Sequence, residues 1–189
     1  MSRTKKIVLC GAMSALSAVL AMLIHFPLIP AVSFLEYDPA DVLIYVCTFI
    51  FGLPFGLGMT VITSLVQGLT VSGGSGLVGI MMHIISTGGY VAAAWFTKRL
   101  FPKKRGFISM LAGTIAGLFA TVLIMTGWNY FITPIYMGID RAFFTEMYLR
   151  PVVLFNIIKV TINGAFSLAL YVPAERLVKR LKSGGTAQK

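Results

Sequence analysis

"PVVLFNIIKVTING" runs from Pro151 to Gly164. It is apolar enough to lie in a bilayer, yet Lys159 stands inside it, with Asn156 and Asn163 one turn to either side. A cation in a membrane helix costs about 2.5–3.5 kcal/mol on insertion scales. The surrounding chain shows which solvent this helix meets.

Of the 189 residues, 57% are hydrophobic and only 12% are charged, and the mean hydropathy is +0.87. A water-soluble domain of this length does not need so much apolar surface, so residues 1–189 read as one polytopic membrane domain. The formal charge of +10 points to nucleic acid only until position is considered, because the basic residues lie between apolar runs and not along one face. Cys10 and Cys47 both sit in apolar surroundings, without metal-ligand spacing, and read as small packing residues. The basic start and apolar run Ile7–Ile24 resemble a signal peptide, but the run exceeds the usual h-region of about 7–15 residues, so it reads as a retained first span.

A crossing needs about 20 apolar residues. Five runs approach or exceed that: Ile7–Ile24, Phe55–Val71, Leu77–Phe96, Phe107–Thr133 and Val152–Val172. Ala40–Gly52 is shorter and ends in the break "GLPFG". Residues 40–71 are thus two crossings or one re-entrant hairpin. The first option is preferred, which predicts an all-α protein of six transmembrane helices. With the N-terminus in the cytoplasm, 13 of the 16 Lys and Arg residues fall inside, including Lys103, Lys104 and Arg105 of the middle loop and Lys189 at the C-terminus. Both termini are therefore expected to be cytoplasmic. Five of the six acids fall in the outer half.

In "EYDPAD", Asp38 can cap the next helix, Pro39 suits its first position and Asp41 lies in its first turn. Capping accounts for both acids. The outer connections "HFPLIPAVSFLEYDP" and "PIYMGIDRAFFTEMYLRP" are long and aromatic, as lids or binding loops are.

Polar residues inside hydrocarbon carry the functional signal. Asn156, Lys159 and Asn163 share one face of the last helix, at spacings i, i+3 and i+7. Asn129, Gln67 and His83 stand on other helices, and most of these groups fall in the outer half, which suggests a shared site open to the outside. His83 and Asn163 read first as interhelical hydrogen-bond formers. Lys159 lies eight residues past Pro151, about 12 Å of helix, too deep for easy snorkelling. A ligand acceptor explains it better. With no acid at its depth on the last two helices, Asp41 is the nearest candidate counter-ion, and Lys159→Met is expected to leave the fold intact. Ser75 and His83 do not make a protease, since no oxyanion hole accompanies them. No enzyme activity and no cofactor is expected.

The small-residue first span, the Pro-containing outer loop, "YDPADV" and "FIFGLPFGLGMTVI" resemble the substrate-binding S-components of energy-coupling factor (ECF) vitamin transporters. "NYFITPIY" followed by "FNIIKV" resembles the riboflavin-specific branch. The resemblance implies a vitamin bound near the outer surface of a prokaryotic plasma membrane protein. It also implies a membrane scaffold partner and two cytoplasmic ATPases that use the ATP. Asn129, Asn156 and Lys159 match positions at the polar edge of the flavin ring, and Gln67 and Tyr37 complete the expected substrate set. Lys donates only, whereas Asn donates and accepts, which suits a ring edge of carbonyl and nitrogen acceptors plus one N–H. Where riboflavin-type members are expected to carry Lys-Asn at the end of the third helix, this chain has Val66-Gln67. Another vitamin, or a structural subunit that binds no small molecule, stays open. Gly11, Ala15 and Ala18 form a small-residue stripe that fits close docking on the scaffold.

Overall fold

The computed structural model describes residues 2–71, 73–101 and 106–183. Ser72, Lys103, Lys104, Arg105 and Lys189 lie outside them, so the basic middle loop of the charge argument is not described.

Helix α1 spans Arg3–Leu23, started by Ser2, whose Oγ accepts from the Lys5 N–H at 3.3 Å. A loop then folds back on itself. Its strands β1 (Phe26–Pro27) and β2 (Glu36–Tyr37) pair antiparallel around a 3-10 turn at Pro30–Val32. Helices α2 (Ala40–Phe51) and α3 (Leu53–Leu69) follow. They are separated by Gly52 at φ +100°, a conformation that only glycine adopts without strain. The chain continues through α4 (Gly76–Leu100), α5 (Gly106–Phe131), α6 (Thr133–Met137), α7 (Arg141–Met147) and α8 (Leu149–Ser183).

Eight α-helices thus stand among the described residues where the sequence reading expected six. The two additional ones, α6 and α7, are five and seven residues long and lie within the connection read as a long loop. Pro134 in the first turn of α6 and the Asp140 cap of α7, whose Oδ1 accepts from the Ala142 N–H at 2.8 Å, start these short helices. Four helices are long and apolar enough to cross a membrane, namely α1, α4, α5 and α8. Their outward faces carry exposed apolar side chains such as Val19, Phe119, Leu123 and Phe166, as lipid contact requires. Helices α2 and α3 are shorter.

Two apolar clusters hold the bundle. One joins Tyr45, Phe49, Met59, Tyr90, Met110 and Val160 between the helices. The other packs Val32 and Leu35 of the first loop against Phe144, Val152 and Phe155. Lys98, in the last turn of α4, donates to Phe49 O at 2.8 Å, which ties the end of α2 to the far end of α4. Because α2 has only 12 residues, about 18 Å, its start lies sunk within the bundle. A cavity opens above it.

Candidate ligand-binding site

The cavity has a volume of about 420 Å³, within the range of small-molecule sites. Phe34, Leu35, Ile80, Met82, Met125 and Phe155 form apolar walls. The polar groups come from α8, the first loop, α2, α3 and α4.

Helix periodicity puts Asn156, Lys159 and Asn163 on one side of α8, and that side meets the sunken start of α2. Lys159 Nζ lies 2.6 Å from Asp38 Oδ2 and donates to Glu36 O at 3.4 Å. Asp38 Oδ1 accepts from Gln67 Nε2 at 3.3 Å and from the Ala40 N–H at 3.1 Å. Asn163 Nδ2 donates to Asp38 O at 3.0 Å. The expected capping by Asp38 is present, but the same carboxylate is also the partner of Lys159. Asp41, the counter-ion expected from the sequence, instead accepts from Thr87 Oγ1 at 2.7 Å and lies 3.3 Å from His83 Nε2. The cause is geometric: the sunken start of α2 brings Asp38 to the depth of Lys159, while Asp41, three residues further on, faces α4.

Gln67, Asn156 and Lys159 therefore meet at one cavity. Asn129 and Tyr37 do not line it. Asn129 is fully buried, donates to Met125 O at 2.8 Å and accepts from Thr133 Oγ1 at 2.9 Å, so it braces the α5–α6 junction. The Tyr37 ring lies 5.5 Å from that of Phe26, tilted by 51°, and burial, with the nearby Asp38 charge, pushes its phenol above the ordinary tyrosine value. Above the cavity, Tyr136 OH donates to Gly74 O at 3.0 Å and links α6 to the α3–α4 turn.

A second polar cluster lines the cavity from α2, α3 and α4. Ser64 Oγ lies 2.6 Å from His83 Nδ1. This pair depends on a close approach: a Cβ on Gly68 would run into the Ile80 side chain, so glycine lets α3 and α4 touch one turn from Ser64 and His83. Beneath it, the rings of Tyr45 and Tyr90 stack 3.6 Å apart at 13°. The small-residue stripe of α1 divides. Gly11 and Ala15 are exposed, whereas Ala18 is buried against the bundle.

The family described as ECF transporter, substrate-specific component, matches residues 5–174. The chain belongs to this family. Two riboflavin transporters named RibU are similar to this S-component over most of its length. The one from Lactococcus lactis subsp. cremoris (strain NZ9000) is 29% identical, with 94% of this chain and 87% of the relative covered. The one from Streptococcus thermophilus (strain ATCC BAA-250 / LMG 18311) is 26% identical, with 96% and 88% covered. A solved S component of a bacterial ECF transporter shares the fold at a TM-score of 0.81 and 22% identity, with 94% of this chain and 99% of that one covered. As an S-component the chain is a transport subunit and not an enzyme.

Two parts of the candidate site were not legible in the sequence, namely Asp38 as the partner of Lys159 and Ser64 as the interhelical partner of His83. Asp38 was legible as the acid next to a helix start, but its depth was not. Ser64 carried no signal of its own, because a serine in an apolar helix ordinarily bonds its own backbone, as Ser64 Oγ also does to Thr60 O at 2.6 Å.

Proposed function

We propose that this S-component binds riboflavin at the outer face of a prokaryotic plasma membrane, for uptake by a complex with a membrane scaffold and two ATPase subunits. The observation that carries the reading is a cavity of about 420 Å³ with donors on one side. Lys159, Gln67 and Asn156 line it beside Phe34, Leu35 and Phe155, in a chain similar over 94% of its length to a riboflavin transporter. The ring's carbonyl and nitrogen edge meets Lys159 and Asn156, and its apolar end lies against the aromatic wall. Asn129 and Tyr37 support this site from behind, through the α5–α6 junction and the first loop. Protein purified from riboflavin-containing medium is expected to be yellow, and the stripped protein to quench flavin fluorescence at a one-to-one ratio. A colourless protein that quenches no flavin would sink the reading and leave another vitamin, or a structural subunit, in its place.

The chain crosses the membrane six times, with both termini inside. The bond from Lys98 to Phe49 O supports two crossings for α2 and α3, since it sets their turn at the level of the far end of α4. Glu146 is exposed in α7, and Lys5 is exposed at the start of α1. Native Cys10 and Cys47 are buried, so they give little labelling background. An impermeant thiol reagent applied to whole cells is expected to label Glu146→Cys and to leave Lys5→Cys untouched. The reverse pattern would invert the topology and close the site to the outside.

A further inference from the structure

The riboflavin reading uses Lys159, Asn156 and Gln67, and leaves the cluster on α2, α3 and α4 without a task. Its members are sparse in hydrocarbon and come from three helices. Asp41 is 4% exposed and Ser64 1%, and both line the cavity together with His83. His83 Nδ1 is engaged by Ser64 at 2.6 Å. Its Nε2 stands 3.3 Å from Asp41 without an aligned hydrogen bond among the described residues, so the ring is held firmly at one nitrogen only. Such a set offers a carboxylate acceptor and a ring nitrogen side by side, next to a hydroxyl oxygen whose proton goes to Thr60 O. Adjacent hydroxyl groups, each a donor and an acceptor, match it.

Charge points the same way. Three acidic residues line the cavity, Glu36, Asp38 and Asp41. Lys159 is the one lysine or arginine among the described lining residues, and Asp38 already neutralises it. A phosphate ester, with a charge of about −1.5 to −2 near neutral pH, would enter a site that is already negative. A neutral polyol meets no such repulsion.

We propose that Asp41, His83 and Ser64 form a second recognition edge, which takes the hydroxylated chain of the ligand and discriminates against its phosphate ester. The ring edge sits at Lys159, and the polyol runs to the α3–α4 side. This assignment rests on the riboflavin reading, and its test uses three probes: riboflavin, lumiflavin, which lacks the polyol, and riboflavin 5′-phosphate.

Fluorescence-quenching titrations on the full chain in detergent are expected to show wild type preferring riboflavin to its phosphate. Ser64→Ala and His83→Gln are each expected to weaken riboflavin about threefold to tenfold and to leave lumiflavin within about twofold. Asp41→Asn is expected to shrink the preference over the phosphate by about tenfold or more, because it removes one of the repelling charges. The readout is a ratio between probes on the same sample, so a fraction of misfolded protein does not alter it. Equal losses of riboflavin and lumiflavin, or a phosphate preference unmoved by Asp41→Asn, would overturn the proposal while riboflavin binding itself stands. A wild type that binds none of the three would overturn the riboflavin reading instead.

Discussion

Lys159→Met is expected to do two things at once: weaken riboflavin binding by about tenfold to a hundredfold and lower thermal stability. The affinity loss follows from a charge-assisted hydrogen bond of about 1.5–3 kcal/mol, at about 1.4 kcal/mol per factor of ten. The stability loss follows from Asp38. A lysine without a partner would make methionine a neutral or stabilising replacement, which is what the sequence suggested. The 2.6 Å contact with Asp38 reverses that sign, because removing one member of a buried pair leaves the other charge uncompensated, at a cost of about 3–5 kcal/mol. Gln67 and the Ala40 N–H still reach Asp38 Oδ1, which places the loss toward the lower end. The double variant Lys159→Met with Asp38→Asn is expected to recover most of the stability and none of the affinity. Melting curves and quenching titrations on wild type and the two variants separate the two effects. Unchanged affinity with lowered stability would make the lysine a structural residue; lowered affinity with unchanged stability would mean that the ion pair adds nothing net to the fold.

Ala15→Trp is expected to abolish uptake in cells while leaving riboflavin binding to the purified protein within about twofold. Ala15 and Gly11 are exposed, and nothing lies within 4 Å of where a Cβ on Gly11 would stand, so this face of α1 is free for a partner helix. Small residues in lipid let backbones approach closely, and a Trp ring prevents that approach. Ala18, expected on the same stripe, is buried inward, so Ala18→Trp is expected to damage the fold and serves as the contrast. Uptake assays, paired with titration of the purified variants, decide the matter. Loss of binding in Ala15→Trp would mean that this face packs within the protein.

Much of the fold was legible from local properties. Hydropathy located α1, α4, α5 and α8, and "GLPFG" marked the Gly52 break, because only glycine takes φ +100° without strain. The polar face of α8 was legible from its i, i+3, i+7 spacing. What a linear pattern does not carry is the depth of one helix relative to another. Asp38 was read as a cap on a loop; its meeting with Lys159 depends on how far α2 is sunk, which follows from packing and not from the residues around it. Asn129 lies off the cavity for a different reason. Its amide satisfies itself on Met125 O and Thr133, a choice between two hydrogen-bond partners that the sequence cannot rank. The Ser64–His83 contact needed Gly68 against Ile80, two positions on different helices.

The stacked pair Tyr45 and Tyr90 lies one turn beyond Asp41 on α2 and beyond Thr87 on α4, and both rings are buried. Among the described residues, none of α2 or α4 at or beyond this pair lines the cavity. The vessel has a bottom. Between α2 and α4 the S-component is thus a cup and not a tube.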